Sequence, residues 1–397
     1  MILKFMIIGN GIAALQAAEN IRKNDSESKI TMISREKYNT YYRVKLSHLL
    51  GQQFDLEKLY VKPNQWYEDN NIDVLLKRNV TSVDTDKKIV KLDDGSILEY
   101  DILIIASGSY SFIPPVKGND KKGVYAVRSL DDVEKLNEYI NGKKRGVVVG
   151  GGLLGLEAAW SLRQIGYDVT VIEFFPRLLP KQSDEEGSRI IEKIIEDSGI
   201  KLVLGAEVDE ITGDPADGVV LKNKDKVDAD FVIFSAGVRP NLDAINGSGI
   251  KINKGILVDD FMKTSIDDVY AAGDVAEHNG KIYGLWTVAL AQGRTAGLNA
   301  VGVKTAYKEV LPSSTLKITG VDVFSSGDIF DEAAATYRYK NGNVYYKLFV
   351  KENKLIGAIL IGDITYSAKA KKAIDSRVDL KELLISAKDA KEVLEKI

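Results

Sequence analysis

Two glycine-rich stretches of the sequence have the residue types and the spacing that could bind a nucleotide cofactor. KFMIIGNGIAAL carries the pattern GxGxxA, and RGVVVGGGLLGLEAAW carries GxGxxG. The patterned residues are Gly9, Gly11 and Ala14 in the first stretch and Gly150, Gly152 and Gly155 in the second. Glycine lets backbone N–H groups approach a pyrophosphate closely, and the partial positive charge of a helix N-terminus adds to the attraction. Each stretch therefore predicts a dinucleotide site.

The acidic residue that follows the second glycine turn indicates which nucleotide binds there. Glu173 ends a predicted strand, Val169–Ile172, and lies 23 positions after the first glycine of its turn, close to the roughly 20 expected for a ribose-binding acid. Its carboxylate would accept from both ribose hydroxyls of NAD and would repel the 2′-phosphate of NADP, so NADH is preferred. Arg177 is close enough in sequence to weaken this preference. After the first turn, Glu36 or Ser34 could hold the ribose hydroxyl.

Short apolar runs alternate with helical patterns around both turns, which is typical of an α/β protein with parallel strands. Residues 71–105 read as successive strands, ending in ILEYDILIIASG, that form a β-meander and return to a parallel sheet. The stretches DADFVIFSAGVRPN and TSIDDVYAAGDVAE then bring further glycines to the carboxyl ends of strands, the edge where ligands bind in open sheets. The C-terminal segment predicts a small α+β domain with strands at 315–318, 321–325, 334–339, 343–350 and 355–361, followed by helices.

Composition excludes several kinds of chemistry. The chain has 397 residues, enough for two or three domains, and its 54 basic and 57 acidic residues argue against nucleic-acid binding through bulk charge. It has no cysteine, which excludes thiol exchange and Cys-ligated metals, and its two histidines argue against a His-based metal site. No apolar stretch approaches the length of a membrane helix. We therefore expect a cytoplasmic protein whose chemistry comes from a bound cofactor.

The ordered set GxGxxA, AxG, GxGxxGxE, AGxxPN and YAAGD resembles that of the two-dinucleotide-binding-domain flavoproteins, also called pyridine nucleotide–disulphide oxidoreductases. The resemblance implies an FAD-binding domain of residues 1–112 and 241–308 and an NADH-binding domain of residues 113–240 inserted into it. Both would be Rossmann-like, with a parallel sheet between two layers of helices. Residues 309–397 would form the C-terminal α+β domain. FAD and NADH are the implied cofactors.

The resemblance also implies which residues contact the cofactors. They are Gly9, Gly11, Ala14, Ser34, Arg35, Glu36, Arg43, Ser47, Val80, Ala106, Ser107, Gly108, Arg128, Gly273, Asp274, Trp286, Gly150, Gly152, Leu153, Leu154, Gly155, Glu157, Glu173 and Gly237. Asp274 is expected to hydrogen-bond the ribityl chain of FAD, or to cap a helix. Val80 is expected to meet adenine through its backbone. Trp286 and His48 are expected near the flavin, although Trp286 could equally be a core residue.

Three residues are expected to act closest to the chemistry. Arg43 looks placed to reach the FAD pyrophosphate or ring, and Glu157 corresponds to a glutamate that lies near the nicotinamide in relatives. Lys317 could stabilise the negative charge that develops on reduced flavin. A structural role stays open for each of them. Arg43 could form a surface salt bridge, Glu157 could interact favourably with the helix dipole, and Lys317 could simply be exposed on a strand.

The lack of cysteine separates this chain from relatives that reduce disulphides or use a redox cysteine, which would lie near Leu46-Ser47-His48. YNTYYRVKLSHLL and STLKITGVDVFSSGD resemble rubredoxin reductases and the diaphorase portion of NADH-dependent nitrite reductase. This branch implies electron transfer from NADH through flavin to a small redox protein, with rubredoxin favoured over ferredoxin. Three alternatives stay open: the diaphorase component of a nitrite reductase, a cysteine-free NADH oxidase, and an NADH-sensing flavoprotein similar to apoptosis-inducing factor.

Charge near the C-terminus bears on the partner. From Arg338 onward the sequence has 13 basic and 8 acidic residues, within a chain of net charge −3. A basic face there would steer a small acidic electron-transfer protein towards the flavin, although lysine-rich solvated helices would give the same count. Relatives with a redox-active C-terminal cysteine pair dimerise; without one, we expect a monomer.

Overall fold

The computed structural model describes residues 2–318 and 321–397, so Thr319 and Gly320, within the stretch STLKITGVDVFSSGD, lie outside the described residues. The strands before residue 144 are β1 (Lys4–Ile8), β2 (Lys29–Ile33), β3 (Ile72–Leu75), β4 (Val80–Asp84), β5 (Ile89–Leu92), β6 (Ile97–Glu99), β7 (Ile102–Ile105), β8 (Ser109–Ser111) and β9 (Val124–Tyr125). The helices of this part are α1 (Ile12–Asn24), α2 (Asn64–Asp69) and α3 (Leu130–Ile140), with a 3-10 helix at Arg43–Leu49.

The middle of the chain repeats the alternation of strand and helix. Its strands are β10 (Arg145–Val149), β11 (Asp168–Glu173), β12 (Lys201–Leu204), β13 (Val208–Gly213), β14 (Ala216–Leu221), β15 (Lys226–Asp228), β16 (Phe231–Phe234), β17 (Val238–Pro240), β18 (Ile256–Val258), β19 (Val269–Ala271) and β20 (Ala276–His278). Its helices are α4 (Leu153–Gln164), α5 (Glu185–Asp197) and α6 (Trp286–Ala300), with a short 3-10 helix at Asp243–Ile245.

The last part of the chain has strands followed by helices. The strands are β21 (Ser313–Ile318), β22 (Val321–Gly327), β23 (Ala335–Asn341), β24 (Val344–Lys351) and β25 (Lys354–Ile361). The helices are α7 (Ser367–Ser376), α8 (Lys381–Ser386) and α9 (Ala390–Lys396). All five strands predicted here are present, with their ends shifted by at most two residues.

The first parallel sheet is built from segments on both sides of the second glycine turn. Its order is β19-β7-β1-β2-β3, and every neighbouring pair is parallel. The apolar residues of β1 are buried, as expected for a parallel strand covered by helices on both faces. The chain therefore leaves this sheet after β7 and returns to it through β19.

The second parallel sheet repeats this plan. Its order is β12-β11-β10-β16-β9, again parallel throughout, and β10 and β11 take the positions that β1 and β2 take in the first sheet. We call the part of the chain that forms the first parallel sheet the first unit, and the part that forms the second parallel sheet the second unit. The first unit also contains the three-stranded antiparallel sheet β4-β5-β6, and the second contains β13-β14-β15. The α/β class with two Rossmann-like units, predicted from the sequence, is confirmed.

One predicted strand is divided in two in the structure. The stretch ILEYDILIIASG, read as one strand, forms β6 and β7. The reason is Asp101, whose carboxylate accepts from Lys4 N–H at 2.7 Å and whose own N–H donates to the Lys4 carbonyl at 2.9 Å, so that a new parallel pairing starts there. Helix α4 begins at Leu153 and follows the glycine turn directly, because Gly152 is its N-cap.

Helix α6 returns the chain to the first unit by packing its backbone against α1. A Cβ on Gly293 would lie 2.2 Å from the Ala13 carbonyl oxygen, and one on Gly297 would lie 2.5 Å from that of Ala17. Only glycine leaves room for this approach, and the alanines supply the matching small side chains. The close contact fixes the start of α6 beside the first glycine turn.

The C-terminal unit is an antiparallel sheet in the order β21-β22-β25-β24-β23. One face packs against α7 and α9. The other face joins a hydrophobic cluster that also contains Leu46 of the 3-10 helix and Leu156 of α4, with Leu316 and Ile361 from the sheet. Three segments far apart in sequence thus share one core.

A partly buried polar contact also joins the second and C-terminal units. Asp184 caps α5 and accepts from the Tyr345 hydroxyl and the Lys347 ammonium, both at 2.8 Å. Burial alone would raise the pKa of Asp184, but these hydrogen bonds outweigh it and lower the pKa. Within residues 2–318 and 321–397, no helix combines the length and the apolar character needed to cross a membrane.

Changing Gly155 to alanine should destabilise the second unit, because the added Cβ would lie 1.9 Å from the Gly150 carbonyl oxygen. We expect the free energy of unfolding to fall by about 1–3 kcal/mol, the range typical of overpacked positions. The matched control is Gly152→Ala, whose Cβ would have no atom within 4 Å among the described residues. Its cost as an N-cap change should stay below about 1 kcal/mol. Urea denaturation measures both, and equal losses would contradict the steric account.

Candidate functional site

The first glycine of each turn is required by the backbone. Gly9 has φ +118° and Gly150 has φ +124°, a region that side chains rarely adopt. A Cβ on Gly9 would lie 2.1 Å from the Ala106 carbonyl oxygen, and one on Gly150 would lie 2.4 Å from that of Ser235. Each turn is therefore pressed against the end of the neighbouring strand, at the carboxyl edge of its sheet.

The second glycine of each turn faces open space instead. A Cβ on Gly11 or on Gly152 would meet no atom within 4 Å among the described residues. These glycines are the N-caps of α1 and α4, and within the described part of the chain no side chain hydrogen-bonds to either cap. Free N–H groups at a helix N-terminus attract anions. Both turns thus fit a pyrophosphate, with Ala14 and Gly155 packed tightly behind them.

Glu173 turns its carboxylate into the second glycine turn. It accepts from Gly151 N–H and, at 2.8 Å, from Phe175 N–H, and only 6% of the residue is exposed. An ionised carboxylate has about four acceptor positions, so acceptor capacity is left for a ribose hydroxyl. Arg177 donates to the Ser183 and Pro180 carbonyls, so its guanidinium is engaged by the backbone.

The first turn has a different partner at the equivalent position. Gly9 N–H donates to the Ile33 carbonyl and Gly150 N–H to the Ile172 carbonyl, both at 2.8 Å. The residue that follows is Ser34 in the first unit and Glu173 in the second. Ser34 is buried. Glu36 lies two residues further on, and its carboxylate bonds to Arg43 and Tyr41. Of the two residues that the sequence left as alternatives, Ser34 is therefore the one at the position equivalent to Glu173.

Paired charges surround the carboxyl edge of the first sheet. The Arg43 guanidinium lies 2.6 Å from the Glu36 carboxylate, which also accepts from the Tyr41 hydroxyl at 2.6 Å. The Arg128 guanidinium lies 2.5 Å from the Asp274 carboxylate, and Arg43 donates to the Arg128 carbonyl. Two arginines and two acids thus form one connected network.

Burial and pairing oppose each other in this network. Burial disfavours the charge of Arg43, but the neighbouring Tyr41 and Glu36 outweigh it and raise the pKa. Burial lowers the pKa of Arg128, although the Asp274 carboxylate counteracts it. Both guanidinium groups therefore need their acidic partners.

Asp274 follows β19 and precedes β20, so the expected alternative of a helix cap is wrong. Its carboxylate accepts from the Ser109 hydroxyl at 2.7 Å as well as from Arg128. Gly273 before it has φ +81°, and its N–H donates to the Gln292 side chain of α6 at 2.9 Å. The carboxylate is therefore held at the carboxyl edge of the first sheet by residues from three segments.

The two connections between the units run side by side. β8 and β17 form a two-stranded antiparallel ribbon. At its ends, the Ser107 hydroxyl donates to the Asn241 carbonyl at 2.9 Å, and Asn241 N–H donates to the Gly108 carbonyl at 2.9 Å. Gly108 and Gly237 both have positive φ and open space around a Cβ. Gly108, opposite Asn241, and Gly237, whose carbonyl accepts from Phe112 N–H, thus lie at opposite ends of this ribbon.

A hydrogen bond from the 3-10 helix to α4 is among those that link the first unit to the second. The Ser47 hydroxyl, in the 3-10 helix, donates to the Glu157 carboxylate of α4 at 2.6 Å. Burial raises the pKa of Glu157, while the Ser47 hydrogen bond and the nearby His48 oppose the rise. Because α4 packs against both the 3-10 helix and β21, this carboxylate lies where the three units meet.

The remaining expected residues lie in different environments. Trp286 begins α6 and stacks on Tyr42, with ring centroids 5.8 Å apart and an interplanar angle of 27°. Val80 is buried at the start of β4. The exposed members of the set are Arg35, His48, Leu154 and Lys317, while Leu153 is half-buried.

Sequence reasoning missed Ser109, Tyr41 and Tyr42, which complete the network and the aromatic stack. Their residue types carry no signal of their own, since the contacts depend on tertiary packing. Within the described ranges, no group of three or more His, Cys, Asp and Glu side chains could hold a metal ion.

Comparison with protein families gives two matches. Residues 3–293 match the family described as pyridine nucleotide-disulphide oxidoreductase. Residues 312–378 match the family described as rubredoxin NAD+ reductase C-terminal domain. The first match covers both glycine turns, and the second covers the C-terminal sheet.

Individual relatives span most or all of this chain. The NADH-rubredoxin oxidoreductase of Clostridium acetobutylicum is 36% identical over 375 residues, which cover 94% of each chain. The crystal structure of the NADH:rubredoxin oxidoreductase from that organism superposes with a TM-score of 0.83 over the whole of both chains, at 34% identity. The nitrite reductase [NAD(P)H] of Bacillus subtilis is 36% identical over 96% of this chain, which spans only 48% of that protein.

Replacing Glu157 by glutamine should make stability less dependent on pH. Because the pKa of Glu157 is raised in the folded state, its stabilising contribution is complete below its ordinary pKa and is lost as the pH rises through the folded-state value. Glu157→Gln should therefore match the parent chain near pH 4 and exceed it at pH 8, by about 1.4 kcal/mol per unit of pKa shift. Denaturant unfolding at both pH values measures the difference.

The matched control for this measurement is Glu185→Gln, because the Glu185 side chain is 80% exposed. Its difference from the parent chain should not change between pH 4 and pH 8. A Glu157→Gln chain that is less stable than the parent at pH 8 would contradict the account of a carboxylate destabilised by burial.

Proposed function

Because the chain belongs to the pyridine nucleotide-disulphide oxidoreductase family, we propose that it is an NADH-dependent flavoprotein reductase. It passes electrons from NADH through FAD to a small redox protein, with rubredoxin as the acceptor. The observation that carries the proposal is the pair of glycine turns, each with an open position at its second glycine, joined through the Ser47–Glu157 hydrogen bond. FAD, when bound, supplies the capacity to accept a hydride and to release electrons singly.

The first unit holds the flavin nucleotide in this proposal. Gly11 and the N-terminus of α1 bind its pyrophosphate, and Arg43, although paired with Glu36, offers further N–H donors at the same edge. Asp274 accepts from hydroxyls of the ribityl chain, while Arg128 and Ser109 keep its carboxylate oriented. Ser34 and Val80 face the adenosine end: Ser34 follows β2, and its carbonyl accepts from Arg78 N–H at 2.9 Å, two residues before Val80 begins β4. Lys317, exposed on β21, compensates negative charge that develops near the flavin ring.

The second unit holds NADH in the orientation that transfer requires. Gly152 and the N-terminus of α4 bind the pyrophosphate, and Glu173 accepts from the adenosine ribose. Glu157 is one turn into α4 and reaches across to Ser47 of the first unit, so it marks the nicotinamide end of the site. The two nucleotides thus meet at the junction, and a single chain supplies every proposed contact, which supports a monomer.

The acceptor follows from what the chain lacks and from what its C-terminal unit resembles. The sequence has no cysteine, so electrons cannot be stored on a thiol pair. They therefore pass from the flavin to an external acceptor. The match of residues 312–378 and the clostridial relative support rubredoxin as that acceptor.

The positive charge of the C-terminal segment is partly neutralised. Three of its lysines, Lys340, Lys347 and Lys351, pair with Glu186, Asp184 and Asp331, all of which precede Arg338. Exposed cations near α7 and α8 include Lys372, Arg377 and Lys381. Electrostatic steering of an acidic partner therefore acts through the basic residues that remain unneutralised and not through all 13 basic residues from Arg338 onward.

A second candidate is the diaphorase component of a nitrite reductase. The chain aligns over 96% of its length with the Bacillus nitrite reductase but spans about half of that protein. In this case the residues proposed above keep their roles, and the acceptor is the nitrite-reducing centre of a separate chain. Rubredoxin would then be reduced slowly.

The experiment that tests the function is stopped-flow mixing under anaerobic conditions. The FAD-reconstituted protein should bleach with NADH, and rubredoxin should reoxidise it faster than oxygen does. Rubredoxin reduction should slow as salt is raised, because exposed charges are screened, whereas reduction of a small neutral dye should not. A flavin that stays oxidised with NADH overturns the proposal. Faster reaction with oxygen would identify an oxidase, and a reduced complex that resists every acceptor would identify a sensor.

Removing the charge of Glu173 should relax the choice between NADH and NADPH. In Glu173→Gln the carboxylate no longer repels a 2′-phosphate, so kcat/KM for NADPH relative to NADH should rise at least about tenfold. The control is Glu207→Gln, because Glu207 is an exposed acid of the same unit. Steady-state dye reduction with both nucleotides measures the ratio. An unchanged ratio would contradict the role of Glu173.

A further inference from the structure

Two phenylalanines stand exposed at the carboxyl edge of the second parallel sheet. Phe174 and Phe175 directly follow Glu173, the last residue of β11, and are 62% and 46% exposed. Their ring centroids lie 5.4 Å apart with the planes at 86°, so the edge of one ring meets the face of the other. Leu154, in the first turn of α4, is also 53% exposed. Apolar groups exposed together beside a ligand-binding edge indicate a binding surface.

The backbone that carries these rings is held firmly. Phe175 N–H donates to the Glu173 carboxylate at 2.8 Å, and the Phe175 carbonyl accepts from Gly205 N–H at 2.9 Å. The Glu173 carbonyl accepts from Ala206 N–H at 3.0 Å. The rings are therefore presented on an anchored turn that follows β11 and is hydrogen-bonded to the residues just after β12, and a ligand that contacts them has little backbone to order.

The covalent structure of a dinucleotide determines what must lie beside Glu173. The ribose carbon that bears the 2′-hydroxyl is bonded to the carbon that bears the base. A carboxylate that accepts from the ribose hydroxyls therefore lies close to the base. The base therefore lies against the residues around that carboxylate. The side chains that leave β11 immediately after Glu173 are the two exposed phenylalanines.

We propose that Phe174 and Phe175 form the stacking surface for the adenine ring of NADH. This inference rests on the proposed function, because it needs NADH to bind at the second glycine turn. Adenine is flat, and either of its faces can stack on an aromatic ring, which covers the exposed apolar surface. Glu173 then recognises the ribose while the two rings recognise the base, so the adenosine half of NADH contributes affinity far from the nicotinamide.

The test compares NADH with reduced nicotinamide mononucleotide, which lacks the adenosine half. In Phe174→Ala/Phe175→Ala, kcat/KM for NADH should fall about tenfold, through KM, since stacking on a protein aromatic is worth about this factor. The value for the mononucleotide should change less than about twofold. The second readout is calorimetric titration of the protein with ADP-ribose, whose Kd should rise about tenfold. Phe174→Tyr/Phe175→Tyr, which keeps both rings, should restore both values.

The control is Phe330→Ala, which removes an equally exposed phenylalanine, 52% exposed, from the C-terminal unit. It should change neither measurement. The inference is overturned if the double alanine variant loses the same factor with NADH and with the mononucleotide, or if its affinity for ADP-ribose equals that of the parent. It is also overturned if the variant instead slows only rubredoxin reduction, which would make the rings a protein-docking surface. If the parent binds ADP-ribose but NADH does not bleach its flavin, the proposed function fails while the titration still decides the role of the rings.

Discussion

The close approach of each glycine turn to the end of a neighbouring strand is the constraint on which both candidate nucleotide edges depend. Carbonyl oxygens of Ala106 and Ser235 occupy the space where a side chain on Gly9 or Gly150 would have to lie. A larger residue would push the turn away from its sheet, together with the N-terminus of the helix that follows. The anion-attracting N–H groups of α1 and α4 are positioned by this steric fit, and the chain meets the same requirement twice.

Contacts between the units then hold the two edges in relation to each other. Leu46, Leu156 and Leu316 come from three separate segments and share one hydrophobic cluster. Two polar contacts lie at its margins, Ser47 with Glu157 and Asp184 with Lys347. Apolar burial supplies most of the stabilisation in such an arrangement, and hydrogen bonds between partly buried groups make it specific. The junction is therefore a property of the assembled chain and of no single unit.

The charged groups at the carboxyl edge of the first sheet are arranged differently from those at the carboxyl edge of the second. Arg43 and Arg128 are each paired with a carboxylate, so the edge is close to neutral and yet rich in donors. The Glu173 carboxylate is bonded only to backbone N–H groups in the described part of the chain. Serine occupies position 47, and its hydroxyl donates to the Glu157 carboxylate.

The sequence by itself determined the features that depend on local conformation and on short spacings. The glycine turns, Glu173 and the five C-terminal strands were readable because φ, strand alternation and helix starts are set within a few residues. Tertiary structure alone decided which side chains meet. Ser47 and Glu157 are 110 positions apart, and Arg128 and Asp274 are 146 apart, so packing brings each pair together. The structure likewise showed that Ser34 takes the position in the first unit that Glu173 takes in the second, while the Glu36 carboxylate pairs with Arg43.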